Sequence, residues 1–70
     1  MATYRTGRWE NSSGVLFYSI EKKTLFGWTE MNYWVISRHY GYTHVQSDDE
    51  AKAKMNEAVE RLVKAGHTVI

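Results

Sequence analysis

Cysteine and proline are both missing from this 70-residue chain. Without cysteine there is no disulfide framework and no thiolate zinc site, so a hydrophobic core must carry the fold, helped at most by self-association. Without proline, the breaks between elements fall to glycine, asparagine and serine. No apolar run approaches transmembrane length, and the opening MATYRTGRWENSSG lacks the apolar stretch of a signal peptide. The expectation is a cytoplasmic protein with no membrane partner. Charge of one sign is scarce too: a formal net charge of +1 gives no bulk pull toward nucleic acid or membrane. Repeats, low-complexity tracts and linkers are absent, so residues 1–70 read as a single domain.

What is present is apolar and rich in rings. A hydrophobic content of 43%, with 14% aromatic, is enough for a small core and argues against disorder. Thr3 to Trp9 predicts a first strand, and Glu10-Asn11-Ser12-Ser13-Gly14 a turn. Asn11-Ser12-Ser13 matches a glycosylation acceptor, but without a secretion route it reads as turn chemistry. Val15 to Lys22 predicts the second strand, residues 23–27 a connection, and Trp28 to His39 a long extended segment. Thr43 to Gln46 is either a short strand or a loop. Ser47-Asp48-Asp49-Glu50 is a capping box, and Ala51, Met55, Ala58, Val59 and Leu62 recur at helical spacing, with Val63 widening the stripe. Gly66 is suited to end that helix, and His67 to Ile70 forms a β-like tail. The order β-β-β-α predicts an α+β fold: an antiparallel sheet of three to four strands, a short C-terminal strand allowed, with one helix packed on one face.

MNYWVISRHYGY raises the functional question, because its rings fall on odd and even positions alike: Tyr33, Trp34, Tyr40, Tyr42. Successive strand residues face opposite ways, so both faces of the sheet would be apolar. A hairpin centred near Leu25 sets Leu16 across from Trp34 and Ile20 across from Glu30. Leu16, Tyr18, Ile20, Trp34 and Ile36 then share one face, and Val15, Phe17, Tyr33 and Val35 the other. A hairpin around Asn11 to Ser13 adds Arg5 and Trp9 to that second face and sets Gly7 opposite Phe17. One helix covers one face, here assigned to the Leu16 set. The second set is left as an aromatic patch flanked by arginine, unless the TLFGW loop or the HTVI tail folds over it.

Catalytic groups are few. His39 and His44 have no Cys, Asp or Glu at ligand spacing, and Asp48 and Asp49 are accounted for as helix caps. No nucleophile elbow, phosphate loop or dinucleotide fingerprint occurs. An enzyme, a metal site and a cofactor are therefore not expected. EKKTLFGWTEMNYWV reads as a hairpin of a kind common in small accessory proteins encoded by bacteriophages. In size, ring content and lack of catalytic groups the chain resembles that class, whose members often act as stoichiometric inhibitors of host or defence machinery by contact. The resemblance implies a non-enzymatic inhibitor or modulator and assigns no residue. From the residues themselves, the expected binding set is Arg5, Trp9, Phe17, Phe26, Trp28, Tyr33 and Arg38, with a larger protein as partner. Single-stranded RNA or DNA stacked on the same rings is the alternative, and a homodimer with open faces packed together is the third.

Overall fold

A computed structural model of the chain describes residues 1–36 and 47–70. Four strands and one helix follow in the order β1 (Thr3–Glu10), β2 (Leu16–Thr24), β3 (Gly27–Val35), α1 (Asp48–Lys64) and β4 (Thr68–Val69). The sheet runs β3-β2-β1-β4. β1, β2 and β3 form an antiparallel meander, and β4 joins β1 in parallel. The fold is α+β with a mixed, mostly antiparallel sheet. Its smallest extent is 16 Å, which suits one sheet carrying one helix.

Both turns are built from the residues that mark them. Asn11 Oδ1 accepts from the N–H groups of Ser13 (2.9 Å) and Val15 (3.1 Å), and Gly14 takes a left-handed φ of 79° to bring the chain back. At the second turn Thr24 Oγ1 donates to the Gly27 carbonyl and accepts from the Phe26 N–H, at 3.0 and 3.3 Å. Only Leu25 and Phe26 lie between the strands there.

Helix α1 starts where Ser47 Oγ accepts the Glu50 N–H at 3.1 Å. It ends with paired bonds, His67 N–H to Leu62 C=O and Gly66 N–H to Val63 C=O, both 3.0 Å, with Gly66 at φ 92°. Its buried face presents Ala51 and Met55 to Tyr4, Tyr18 and Ile20, and Trp34, Ile36, Ala58, Val59, Leu62 and Val69 pack around them. Burying each large side chain contributes about 1.5–3 kcal/mol. Ala51 has no exposed surface, so any longer residue there would overpack the helix–sheet contact at a cost of about 1–3 kcal/mol.

Asp48 ties the helix start to the sheet. Its Oδ1 accepts from the Tyr18 hydroxyl at 2.5 Å, and its Oδ2 pairs with Arg8 at 3.1 Å. The Tyr18 bond, with Arg8 in support, holds the Asp48 carboxyl below its ordinary range. Donating to that carboxylate raises the Tyr18 hydroxyl above its own, and burial adds to the rise. Asp48 is therefore a tertiary clamp as well as a cap.

The strand pairing differs from the register read from sequence. Trp34 pairs with Tyr18 rather than Leu16, Ile20 with Asn32 rather than Glu30, and Gly7 with Ser19 rather than Phe17. Gly14 belongs to the first turn, which moves that hairpin's centre by one residue. A bulge in β3, opposite the Ile20/Glu21 step, adds a further residue to the second hairpin. Above the bulge both shifts come to two residues, an even number, so the residues there keep the faces expected of them, whereas below it the shift is one residue and Glu30 turns to the other face beside Glu21. Two smaller corrections concern the ends: Val63 points to solvent, 55% exposed, and does not widen the buried stripe; and the C-terminal strand is parallel. β3 is Gly27–Val35, and the extended segment expected to reach His39 runs, from residue 37, outside the described residues. Arg38, His39, Tyr40, Tyr42, Thr43, His44 and Gln46 lie outside the described residues.

Candidate interaction face

The face of the sheet turned away from α1 carries Arg5, Gly7 and Trp9 from β1 and Phe17, Ser19, Glu21 and Lys23 from β2. Trp28, Glu30, Tyr33 and Val35 come from β3. Among the described residues neither segment able to close this face does so. The TLFG turn projects beyond the sheet, with Leu25 97% and Phe26 99% exposed, and the tail is held in line as β4.

Two ring clusters occupy the face. In the first, Arg5 reaches across β2 from β1, setting its guanidinium 4.3 Å from the Trp28 ring centroid and 5.7 Å from that of Trp9. Glu21, its direct cross-strand neighbour, fixes it with an Nε–Oε1 contact of 2.8 Å. The indole of Trp9 lies back over Gly7, so close that a Cβ there would come within 2.4 Å of three ring atoms. Gly7 does not need an unusual φ; the ring needs its missing side chain. In the second cluster Phe17 and Tyr33 meet edge to face, with centroids 6.3 Å apart and planes at 78°. Between the clusters Ser19, paired with Gly7 and Tyr33, is fully buried.

Exposure is uneven. Trp9 is 42% and Tyr33 51% exposed, whereas Phe17 and Trp28 are half-buried. Val15 and Val35, expected to lie open with them, are buried; beside Phe17 and Tyr33 they line a shallow depression of about 220 Å³ that Asn11 and Glu30 border. The structure thus gathers Arg5, Trp9, Phe17, Trp28 and Tyr33 on one face and sets Phe26 on the turn beside it. Arg38 falls outside the described residues.

Sequence reasoning missed Glu21 and Gly7, because their roles exist only once the register is known. Leu25 was legible as part of a turn but not as an exposed apolar tip. Charges are also allocated differently from a count of basic residues. Arg8 is on the helix side, paired with Asp48, and Arg5 is paired with Glu21, so each already has a carboxylate partner. The chain matches no known protein family, no curated protein and no solved structure.

Proposed function

We propose that the chain is a non-enzymatic binding module that modulates a larger cellular protein by contact, in the manner of the small inhibitory proteins it resembles. Its contact surface is the aromatic sheet face, and Leu25 and Phe26 extend that surface as an apolar tip. The observation that carries this reading is an ordered ring surface left open: Trp9 and Tyr33 stay about half exposed, Trp9 set by Arg5, Glu21 and Gly7 and Tyr33 set against Phe17. Aromatic residues fixed before binding lose little entropy on docking, and Trp, Tyr and Arg are the residue types that dominate binding energy.

Charge pairing favours a protein over a nucleic acid. A single-strand binder needs cations along a groove to displace counterions. Here Arg5 is neutralised, Glu21 and Glu30 share its face, and Lys23 is the remaining described cation on that face. Homodimerisation through the β3 edge is opposed by the bulge and by Asn32, whose Oδ1 accepts the Tyr33 N–H at 2.8 Å.

The test is capture from lysate of the source cells with wild-type protein and with a folded Y33A/F26A variant, each with and without nuclease. A stoichiometric protein partner retained after nuclease, insensitive to salt and lost with the variant, supports the reading; each truncation should cost about 2 kcal/mol or more. Equal capture by the variant, or loss on nuclease treatment, overturns it.

A further inference from the structure

On the helix side, between the last turns of α1 and β3, lies a hollow of about 340 Å³ that the aromatic face does not use. Such a volume falls within the range of small-molecule sites. Its floor is the apolar core surface of Tyr4, Ile20 and Leu62, and Met31, the residue supplied by the bulge, stands at its rim. The bulge and the helix end together leave the space open: Met31 and Asn32 are exposed on β3 where α1 leads on toward β4.

The polar groups on the wall share one character. Arg61 lines the hollow, and among the described residues it has no carboxylate within ion-pair distance. His67 accepts the Ala2 N–H on Nδ1 at 3.0 Å, so its neutral ring carries its proton on Nε2. Asn32 uses Oδ1 for the Tyr33 N–H, which leaves its NH₂. What these three side chains can offer a ligand is therefore N–H donors, with one full positive charge among them, and among the described residues no carboxylate lines the wall. The carbonyl end of α1 opposes an anion, but three of its last four carbonyls, those of Arg61, Val63 and Leu62, are engaged by the N–H groups of Ala65, Gly66 and His67.

We propose that this hollow binds a small amphiphile with a single carboxylate head, the apolar body on Tyr4, Ile20 and Leu62 and the head on Arg61. Charge complementarity selects the head: a cation meets Arg61 unfavourably, and a neutral hydroxyl forgoes the charge-assisted bond. The site lies across the sheet from the aromatic face, so it stands or falls independently of the function proposed above.

Octanoate is the probe, titrated into the full chain and followed by amide chemical shifts, with octanol as the uncharged control. Saturable shifts centred on Ile20, Met31 and Leu62 are expected, with octanol binding at least about tenfold more weakly. R61Q, on an exposed helix position, should weaken octanoate by a similar factor, whereas K64Q, one turn on and outside the hollow, should not. The proposal is overturned by the absence of saturable shifts at millimolar octanoate, by equal affinity for octanol, by unchanged binding to R61Q, or by shifts centred on Phe17 and Tyr33.

Discussion

Gly7→Ala isolates what the binding face requires from what the fold requires. The added Cβ would stand 2.4 Å from Cε2, Cζ2 and Nε1 of Trp9, inside any tolerable contact. Trp9 is 42% exposed and near the end of β1, so the ring swings outward while the ladder to β2 stays intact. A Trp side chain buries about 150–250 Å², and losing some 50 Å² of the part still covered costs about 1.3 kcal/mol at 25 cal/mol/Å². The contact with Arg5, at 5.7 Å, loses about another 0.5 kcal/mol. Against this, alanine narrows the unfolded ensemble at a φ it can adopt, returning about 0.4–1 kcal/mol. The net loss is about 1 kcal/mol, equal to a fall in Tm of roughly 4–8 °C. Amide spectra should show the sheet preserved and the Trp9 indole N–H resonance moved, with those of Trp28 and Trp34 little changed. Affinity for the captured partner should drop about tenfold or more, although no group that contacts it has been removed. An unmoved Trp9 resonance would refute the placement of the ring over Gly7. Global unfolding would show that Trp9 is part of the core rather than of a contact surface.

Three further outcomes follow from particular contacts. Because the Asp48 pKa is lowered in the folded state, its contribution is present above the unfolded value of 3.8 and is lost as pH falls through the lower folded value. Thermal melts across pH 7 to 2 should therefore show an acid limb that is shallower in D48N, with lower stability at pH 7, while D49N, in the same helix turn but without the Tyr18 and Arg8 bonds, keeps the steeper limb. N32V removes the group that occupies the Tyr33 N–H on the β3 edge and should promote concentration-dependent association, read by sedimentation; a strictly monomeric variant would show that the bulge alone guards the edge. S19A deletes a fully buried hydroxyl that has no side-chain hydrogen bond among the described residues, so denaturant melts should show neutral to slightly raised stability; a loss above about 1 kcal/mol would reveal a bound water or partner there.

The fold was legible where local chemistry decides it. The Ser47 cap, the apolar stripe from Ala51 to Leu62, the Asn11 and Gly14 turn and the Gly66 stop are each set by residues within one turn of one another. Period-two alternation was enough to sort the sheet residues into two faces only down to the bulge; beyond it Trp28 and Glu30, even-numbered like Trp34, lie on the opposite face from Trp34. Register was not legible, because it depends on how many residues a turn absorbs and on a bulge that no single residue in GWTEMNYWV announces. The site shared that limit. Its ring types could be listed from sequence, but Arg5 as a paired, stacked group rather than an open cation needs Glu21 opposite it and Trp28 two strands away.

Pairing of charges constrains the kind of partner more than the sum of charges does. A free arginine on an aromatic sheet suits a phosphate backbone. An arginine held by a carboxylate and stacked on an indole is a rigid, partly desolvated plane, and approaching another protein asks it to shed little further water. Asn32 and the bulge guard the β3 edge against main-chain pairing, and on the other side β4 pairs only Thr3 and Tyr4 of β1. On the function proposed above, recognition falls to side chains: the rings of the sheet face, bordered at one end by the exposed Leu25 and Phe26. The matching partner then offers an apolar pocket for that tip beside a broad face for the rings.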